Sequence, residues 1–182
     1  MRFLLKLFGW TVVGEPLKDD KVIVIFAPHT SNWDFVLAFM ARFCFEMNIA
    51  YLAKHTLFNS YFGWFFRSLG GMPVERSSPH NMVEQVVSLI SARDKVVLGM
   101  APEGTRGKTA YWKSGFYHIA LKAEVPLVLA YLDTQTKEVG LGLRYELTGD
   151  LDQDMKVIKE FYQDKVGIKP GLTSEVKLED LS

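Results

Sequence analysis

Two short polar segments of this chain carry residue types suited to acid–base chemistry on an anionic substrate. The first, His29-Thr-Ser-Asn-Trp-Asp34, places a carboxylate five residues after a histidine. Histidine accepts a proton near neutral pH because its unperturbed pKa is about 6.5, and a carboxylate partner stabilises the imidazolium. The spacing predicts that His29 is a general base for an attacking hydroxyl and that Asp34 orients it.

The same residues also allow a purely structural interpretation. Ser31 and Asp34 have the Ser-x-x-Asp spacing of a capping box, in which both side chains bind backbone N–H groups at the start of a helix. His29 could then be an ordinary hydrogen-bonded loop histidine. The two roles of Asp34 are compatible, because a carboxylate in the first helical turn can cap the helix and hold a histidine.

The second segment, Pro102-Glu-Gly-Thr-Arg106, suits an anion. The Arg106 guanidinium offers planar donors to phosphate, and Gly104 and Thr105 add a compliant backbone and a hydroxyl. Glu103 could orient Arg106 or the loop backbone. The following Gly107-Lys-Thr109 imitates the end of a nucleotide-binding P-loop, but that motif needs a glycine where this chain has Pro102.

Both segments follow predicted buried strands, 21–27 and 95–100. Helices are predicted at 32–47, 57–69, 80–92, 114–123 and 152–164, and further strands at 49–53, 72–75, 126–132 and 137–147. Alternating strands and helices predict an α/β fold: one domain, residues 1–182, built as a sandwich of a largely parallel mixed sheet flanked by helices. In such folds, loops after strand carboxyl ends build the active site, where both segments fall.

The composition and hydropathy indicate which binding partners are expected, nucleic acid or a membrane. With 21 basic and 21 acidic residues the net charge is zero, which disfavours a nucleic-acid binder. No apolar run of about 18 residues predicts a membrane-spanning helix. The first 13 residues combine Arg2 and Lys6 with large apolar side chains, which predicts an amphipathic segment at a membrane interface; packing onto the protein's own core is the alternative.

The remaining candidates are weaker. Residues 57–66 hold more aromatic side chains than one core-facing stripe needs, so we expect the wall of a tunnel for an apolar chain, a membrane-facing patch or ordinary core packing. Lys54 is expected to be a solvated loop residue rather than a ligand of an anionic group. No Cys, His and Asp cluster has metal-ligand spacing, and no metal or cofactor is expected. The other histidines, which have no partner at a useful spacing, are His55, His80 and His118.

Together these segments resemble the glycerolipid acyltransferase family, which includes the 1-acylglycerol-3-phosphate acyltransferases. The His-x4-Asp and Glu-Gly-Thr-Arg signatures are the specific ones, and two looser blocks accompany them in the same order, over roughly residues 22–132. This chain departs from the usual family pattern at Pro28, Gly107 and Leu129. The four matching blocks are His29–Asp34, Gly70–Arg76, Glu103–Arg106, and Lys113–Gly115 with Val125-Pro126.

The resemblance implies a glycerol-3-phosphate acyltransferase-like fold and a site. His29 would be the base, Asp34 its orienting partner, and Arg76 with residues 103–106 would bind the acceptor's polar head. The acyl group would come directly from a thioester of CoA or acyl carrier protein and go to a lysolipid, 1-acylglycerol-3-phosphate by default, at the inner face of the cytoplasmic membrane. The departures leave the acceptor open. The alternatives are an acyl-thioester hydrolase and a catalytically silent lipid-binding module of the same fold.

Overall fold

A seven-stranded sheet organises the chain in the computed structural model, which describes residues 1–59, 61, 63–75 and 79–178. The strands are β1 Thr11–Val13, β2 Lys21–Ala27, β3 Ile49–Lys54, β4 Gly71–Val74, β5 Val96–Met100, β6 Leu127–Asp133 and β7 Glu138–Tyr145. The helices are α1 Arg2–Leu7, α2 Asn32–Cys44, α3 His55–Phe58, α4 Gly63–Ser68, α5 Pro79–Ser91, α6 Gly115–Ala123 and α7 Leu151–Tyr162, with a short 3-10 turn at Pro170–Leu172.

The sheet order is β1-β7-β6-β2-β5-β3-β4, and the pairings are parallel except for antiparallel β6 and β7. The predicted α/β sandwich with a largely parallel mixed sheet is confirmed. Strand β2 lies at the centre, paired with β5 on one side and β6 on the other. Its run of β-branched residues is what a strand covered on both faces requires, because neither face reaches water.

The two faces of the sheet are covered unequally. On one face α5, α6 and α7 pack onto the larger core, which includes Ile23, Leu98, Ile119 and Ile158. On the other face Ala41 of α2 and Phe45, which directly follows α2, belong to a smaller core. Odd-numbered and even-numbered residues of β2 belong to different cores, as the alternation of side chains along a strand requires.

Two predicted segments differ from the structure. The helix expected over residues 57–69 is divided into α3 and α4, and Gly63 begins α4 close to the Phe58 carbonyl, where a Cβ would lie 2.1 Å from that oxygen. The amphipathic segment 1–13 is divided as well. Only residues 2–7 are helical, whereas Thr11–Val13 forms β1 and pairs with β7.

A buried carboxylate joins three elements on the better-covered face. Asp154, in the first turn of α7, accepts hydrogen bonds from the hydroxyls of Tyr117 in α6 (2.9 Å) and Tyr145 in β7 (2.8 Å). It also accepts from the N–H and hydroxyl of Thr148 and from the Gly149 N–H. Burial acts to raise the pKa of Asp154, but these donors outweigh burial and hold the pKa below its ordinary value.

Replacing Asp154 with alanine should lower the free energy of unfolding at pH 7 by about 3 kcal/mol, because the buried Tyr117 hydroxyl and several part-buried donors lose a charged acceptor. The depressed pKa means that this contribution is present above the unfolded-state pKa and is lost as the pH falls through the folded-state pKa. Denaturant unfolding at several pH values measures it, with exposed Asp152→Asn as the control. An equal loss at pH 7 and at pH 2 would contradict this account.

Candidate active site

The two sequence motifs meet because their strands are neighbours. Strands β2 and β5 pair in parallel, with Ile25 opposite Met100. The loops that follow the two strands therefore begin at adjacent positions on the same edge of the sheet. The His29 loop follows β2, and the Glu103 loop follows β5. A direct hydrogen bond joins them: the His29 backbone N–H donates to Glu103 Oε2 at 2.5 Å.

Asp34 is completely buried and holds the backbone of the His29 loop. Its Oδ2 accepts from the N–H of Thr30 and from the N–H of Ser31, the latter at 2.6 Å. The Ser31 hydroxyl in turn accepts from the Trp33 N–H at 3.3 Å, which completes the cap of α2. The capping interpretation of the sequence is therefore correct for Ser31 and Asp34.

Asp34 also faces the imidazole of His29. The distance from His29 Nδ1 to Asp34 Oδ2 is 3.6 Å, and the His29 side chain keeps about 20% of its surface exposed. Both Nδ1 and Asp34 Oδ1 are buried and have no hydrogen-bond partner within the described part of the chain. The pair is slightly longer than a hydrogen bond, as catalytic pairs often are before substrate binds. Nδ1 is thus the ring nitrogen of His29 that is directed at a carboxylate.

Glu103 lies beneath the loops rather than at their surface. Its side chain is only 2% exposed. Burial raises the pKa of its carboxyl, against the opposing effect of the His29 N–H and of the N–H and hydroxyl of Ser174. Below it, the Tyr162 hydroxyl donates to the carbonyls of Ile25 and Ala130. Of the two roles expected for Glu103, orienting Arg106 or the loop backbone, this geometry favours the backbone, here that of the neighbouring loop.

The other predicted residues of the second motif lie at the surface beside His29. Gly104 has a φ of +65°, which favours glycine, and a Cβ there would lie 3.3 Å from Lys113 Cγ. The Thr105 hydroxyl accepts from the Gly107 N–H at 3.2 Å. Arg106 donates to the side-chain oxygen of Asn32, the first residue of α2. The guanidinium is therefore held at the amino terminus of α2, close to the His29 loop.

Arg76, the remaining predicted ligand, lies outside the described residues. The strand that leads towards it, β4, ends at Val74 and pairs in parallel with β3. Among the residues that are described, no group of three or more His, Cys, Asp or Glu side chains lies close enough to hold a metal ion.

An apolar cavity opens beside His29. Its volume is about 260 Å³, just below the usual range for small-molecule sites, and it lies between α2 and the sparsely covered face of the sheet. Apart from His29, Tyr51 and Arg42, its lining is apolar or backbone; Arg42 stacks on Phe39, with 4.9 Å from its guanidinium carbon to the ring centre. Typical lining residues from α2 and the sheet are Val24, Phe26, Ala38, Phe45, Ile49 and Met100.

The cavity corrects one expectation about the aromatic segment. No described residue of 57–66 lines it, so those side chains do not form its wall. Phe58 is buried, whereas Tyr61, Trp64 and Phe65 are exposed. Of the three interpretations, core packing applies to Phe58, and a surface patch remains for the exposed members.

Sequence reasoning missed three contributors to the site. Asn32 was visible inside the first motif, as an amide at the start of a helix, and its contact with Arg106 could have been suspected. The cavity could not be predicted, because it depends on the distance between α2 and the sheet, which no sequence pattern gives. Ser174 follows Glu103 by 71 positions and sits in no recognisable motif.

Comparison with known proteins adds an independent finding. Residues 10–132 match the family model described as Acyltransferase. A 1-acyl-sn-glycerol-3-phosphate acyltransferase of Streptococcus pneumoniae is 29% identical over 139 residues, which is 70% of this chain and 51% of that protein. The Escherichia coli protein of the same name is 25% identical over 147 residues, 76% of this chain and 59% of that protein.

The chain thus spans about half the length of the curated relatives it matches. The family match covers more than half of the chain and contains both motifs whose loops meet at the carboxyl edge of β2 and β5. The chain therefore belongs to the acyltransferase family, the glycerolipid acyltransferases that its motifs resemble.

Proposed function

We propose that this protein transfers a fatty acyl group from a thioester, acyl-CoA or acyl carrier protein, to a hydroxyl of a lysolipid acceptor such as 1-acylglycerol-3-phosphate. The observation that carries the proposal is the position of His29. Its ring lines an apolar cavity, faces a buried carboxylate, and lies beside a loop whose arginine is held at a helix amino terminus. These are the three surroundings that an acyl chain, a general base and an anionic headgroup need.

The chemistry follows from the orientation of the imidazole. With the proton on Nδ1 directed at Asp34, Nε2 is free to accept the proton of the acceptor hydroxyl. The hydroxyl oxygen then attacks the thioester carbonyl carbon, a C–O bond forms, and the C–S bond breaks. The proton on Nε2 passes to the departing thiolate, which leaves as a thiol. No acyl-enzyme and no metal or cofactor enters this sequence of steps.

The acyl chain would occupy the cavity. Its lining is apolar from the His29 end across the face of the sheet. Each methylene group of the chain that moves from water into the cavity would therefore stabilise binding by about 0.8 kcal/mol. The cavity lies between α2 and this region of the sheet. A chain lying between α2 and the strands places its reactive carbonyl at the end where His29 lies.

The acceptor's phosphate would bind at the second motif. Arg106 is exposed and lies at the amino terminus of α2, where the helix dipole also favours negative charge. Gly104 and Thr105 are exposed on the same loop, and Arg76 is proposed as a further ligand from its motif. Glu103 would act from beneath, by holding the His29 loop, rather than by touching the headgroup.

We propose that the protein binds peripherally to the inner face of the cytoplasmic membrane, where a lysolipid acceptor would be within reach. Large apolar side chains are exposed on α1, α2 and α4, and α4 lies on the cavity side of the sheet, where the Tyr51 hydroxyl reaches the Phe66 carbonyl. Helices α1, α3 and α4 contain no acidic residue, which suits an anionic lipid surface. No helix in the described residues is long and apolar enough to cross a membrane. The exposed side chains include Phe3, Leu7, Phe8, Trp33, Trp64 and Phe65.

His29→Ala should lower the turnover number for acyl transfer by at least about a hundredfold, since the general base is lost. The assay incubates the protein with an acyl thioester and a lysolipid panel and detects products by mass. His118→Ala, at an exposed histidine of α6, is the matched control. Near-normal transfer by His29→Ala would refute the mechanism. If the unaltered protein releases free fatty acid and forms no new lipid, it is a hydrolase. If it binds lipid but turns over no substrate, it is a catalytically silent lipid-binding module.

Arg106→Ala should raise the KM for the acceptor by about tenfold or more and leave the KM for the acyl donor unchanged, because a charge-assisted contact to the headgroup is removed. Lys108→Ala removes an exposed positive charge from the same loop and is the control. Steady-state kinetics with each substrate varied in turn measures the two constants. A fall in the turnover number with no change in the acceptor KM would contradict a headgroup role.

Replacing Phe3, Leu7 and Phe8 together with serine should weaken binding to anionic vesicles by about a hundredfold, since three exposed apolar side chains lose their transfer free energy. This variant is preferable to deleting residues 1–13, which would also remove β1 from the sheet. Leu151→Ser on α7, across the sheet, is the control. Unchanged co-sedimentation with vesicles of phosphatidylglycerol and phosphatidylethanolamine would refute an α1 anchor.

A further inference from the structure

The segment after α7, residues 165–178, passes the carboxyl ends of three strands; we name it the strap. It first contacts Thr134, directly after β6, then Thr30 in the His29 loop after β2, and finally Trp112 in the segment after β5. Strands β6, β2 and β5 are adjacent in the sheet, so the strap crosses this edge from one strand to the next. The family match ends before the strap begins.

The strap is fixed to the end of β6 soon after it leaves α7. The Val166 carbonyl accepts from the Thr134 N–H at 2.9 Å, and the Val166 N–H donates to the Asp133 carboxylate at 3.3 Å. The Thr134 hydroxyl lies 3.0 Å from the Val166 carbonyl oxygen and 3.3 Å from that of Gly167, so it can donate to either. These contacts hold the backbone of Val166 and Gly167 against the sheet.

Gly167 packs on Thr30 more closely than any larger residue could. Both residues are buried, and Thr30 is only 1% exposed. A Cβ at Gly167 would lie 2.6 Å from Thr30 Oγ1 and 2.7 Å from its Cγ2, whereas nonbonded heavy atoms prefer about 3.5 Å. The φ of Gly167 lies outside the left-handed region, so the close approach, and not the backbone conformation, requires glycine. Two positions on, the Lys169 N–H donates to Thr30 Oγ1 at 3.1 Å.

Thr30 connects the strap to the pair of His29 and Asp34. It directly follows His29 in the chain, and its N–H donates to Asp34 Oδ2. The same oxygen lies 3.6 Å from His29 Nδ1. The side chain of Thr30 is therefore held by the strap and its backbone by the carboxylate that the imidazole faces. A displacement of Thr30 would move the backbone of His29 relative to that carboxylate, because the two residues share one planar peptide bond.

We propose that Gly167 is a positioning residue: by packing on Thr30 it holds the backbone of the His29 loop and thereby places the His29 ring. Its effect on the loop can be measured without any activity. Its effect on turnover rests on the proposed transferase function.

The first experiment compares hydrogen exchange in the full chain for the unaltered protein, Gly167→Ala and Gly171→Ala. Gly171 is a matched control, because it lies in the same segment, has no left-handed φ, and a Cβ there would meet nothing within 4 Å. In Gly167→Ala the amides of residues 29–31 should exchange at least about tenfold faster, the smaller end of the effect of overpacking a buried site. Gly171→Ala should match the unaltered protein.

The amides of β2 are the reference for this measurement, because they lie in the central strand and away from the strap contact. Unchanged exchange at residues 29–31 in Gly167→Ala would overturn the proposal, since the strap would then have moved instead of the loop. Equal acceleration in Gly171→Ala would also overturn it. So would equal acceleration in β2, which would indicate general destabilisation instead of a local effect.

The second experiment removes the atoms that the new methyl group would meet. Thr30→Ala deletes both Oγ1 and Cγ2 and leaves only a contact of 3.2 Å to the Thr30 Cβ. In the Thr30→Ala background, adding Gly167→Ala should change exchange at residues 29–31 by less than about twofold, because the effects of residues in contact are coupled. A further tenfold acceleration in that background would contradict the proposal.

Acyl transfer gives a readout that separates placement of the base from binding. In Gly167→Ala the turnover number should fall at least about tenfold, since a misplacement of about 1 Å can cost about a hundredfold. The KM values for donor and acceptor should change by less than about twofold, because only the chemical step depends on the position of the ring. A rise in either KM with an unchanged turnover number would overturn the role in placing the ring.

Thermal unfolding shows which variants are folded. If Gly167→Ala is not, Thr30→Val and Thr30→Ser test the same contact from the loop. Valine keeps the shape but cannot accept from the Lys169 N–H, so exchange at residues 29–31 should rise at least about fivefold, whereas serine should stay within about twofold of the unaltered protein. Equal exchange in these two variants would overturn the proposal. If the unaltered protein transfers no acyl group, the proposed function fails, and hydrogen exchange still decides the role of Gly167.

Discussion

Two buried carboxylates hold the loop that carries His29, and the site depends on them. Three consecutive N–H groups, those of residues 29, 30 and 31, donate to carboxylate oxygens: the first to Glu103 and the next two to Asp34. An ionised carboxylate is stable away from water only when such donors surround it. The loop and the carboxylates therefore need each other, because the N–H groups have no partner in a helix or strand. The result is a histidine on a rigid backbone at the mouth of a cavity.

Because the two faces of the sheet are covered unequally, the structure has an apolar cavity in which the proposed acyl chain would lie. Three helices, α5, α6 and α7, pack on one face, whereas a cavity that reaches His29 remains between α2 and the other face. The helix that lines the cavity is also the one capped by Ser31 and Asp34, so its inner face and its amino terminus are positioned together. The exposed apolar side chains of α1, α2 and α4 form an apolar surface on the same side of the sheet as the cavity. The proposed acyl chain and membrane surface thus belong to one side of the molecule.

The sequence predicted a large part of this arrangement for identifiable reasons. Strand β2 was assigned with its observed bounds, because its run of β-branched residues is long and uninterrupted. The aromatic segment was predicted as one helix and proved to be two, since its periodicity carries no sign of the close approach between Gly63 and Phe58. The spacing of residues alone could not decide whether Asp34 caps α2 or is a catalytic partner of His29. In the fold the same oxygen caps the helix and faces His29, so the cap is confirmed and the catalytic role of Asp34 stays a prediction.

By itself the sequence determined every described strand except β1, most of the helices, the two motifs, and their place after two buried strands. These depend on local periodicity and on residues close together in the chain. Only the tertiary structure decided that Glu103 lies beneath the His29 loop, that Asn32 holds Arg106, and that the Ser174 hydroxyl accepts from the Thr109 N–H across 65 positions. It also decided that α2 stands over a cavity. Those contacts depend on sheet order and on the path of the segment after α7, which no spacing between neighbouring residues encodes.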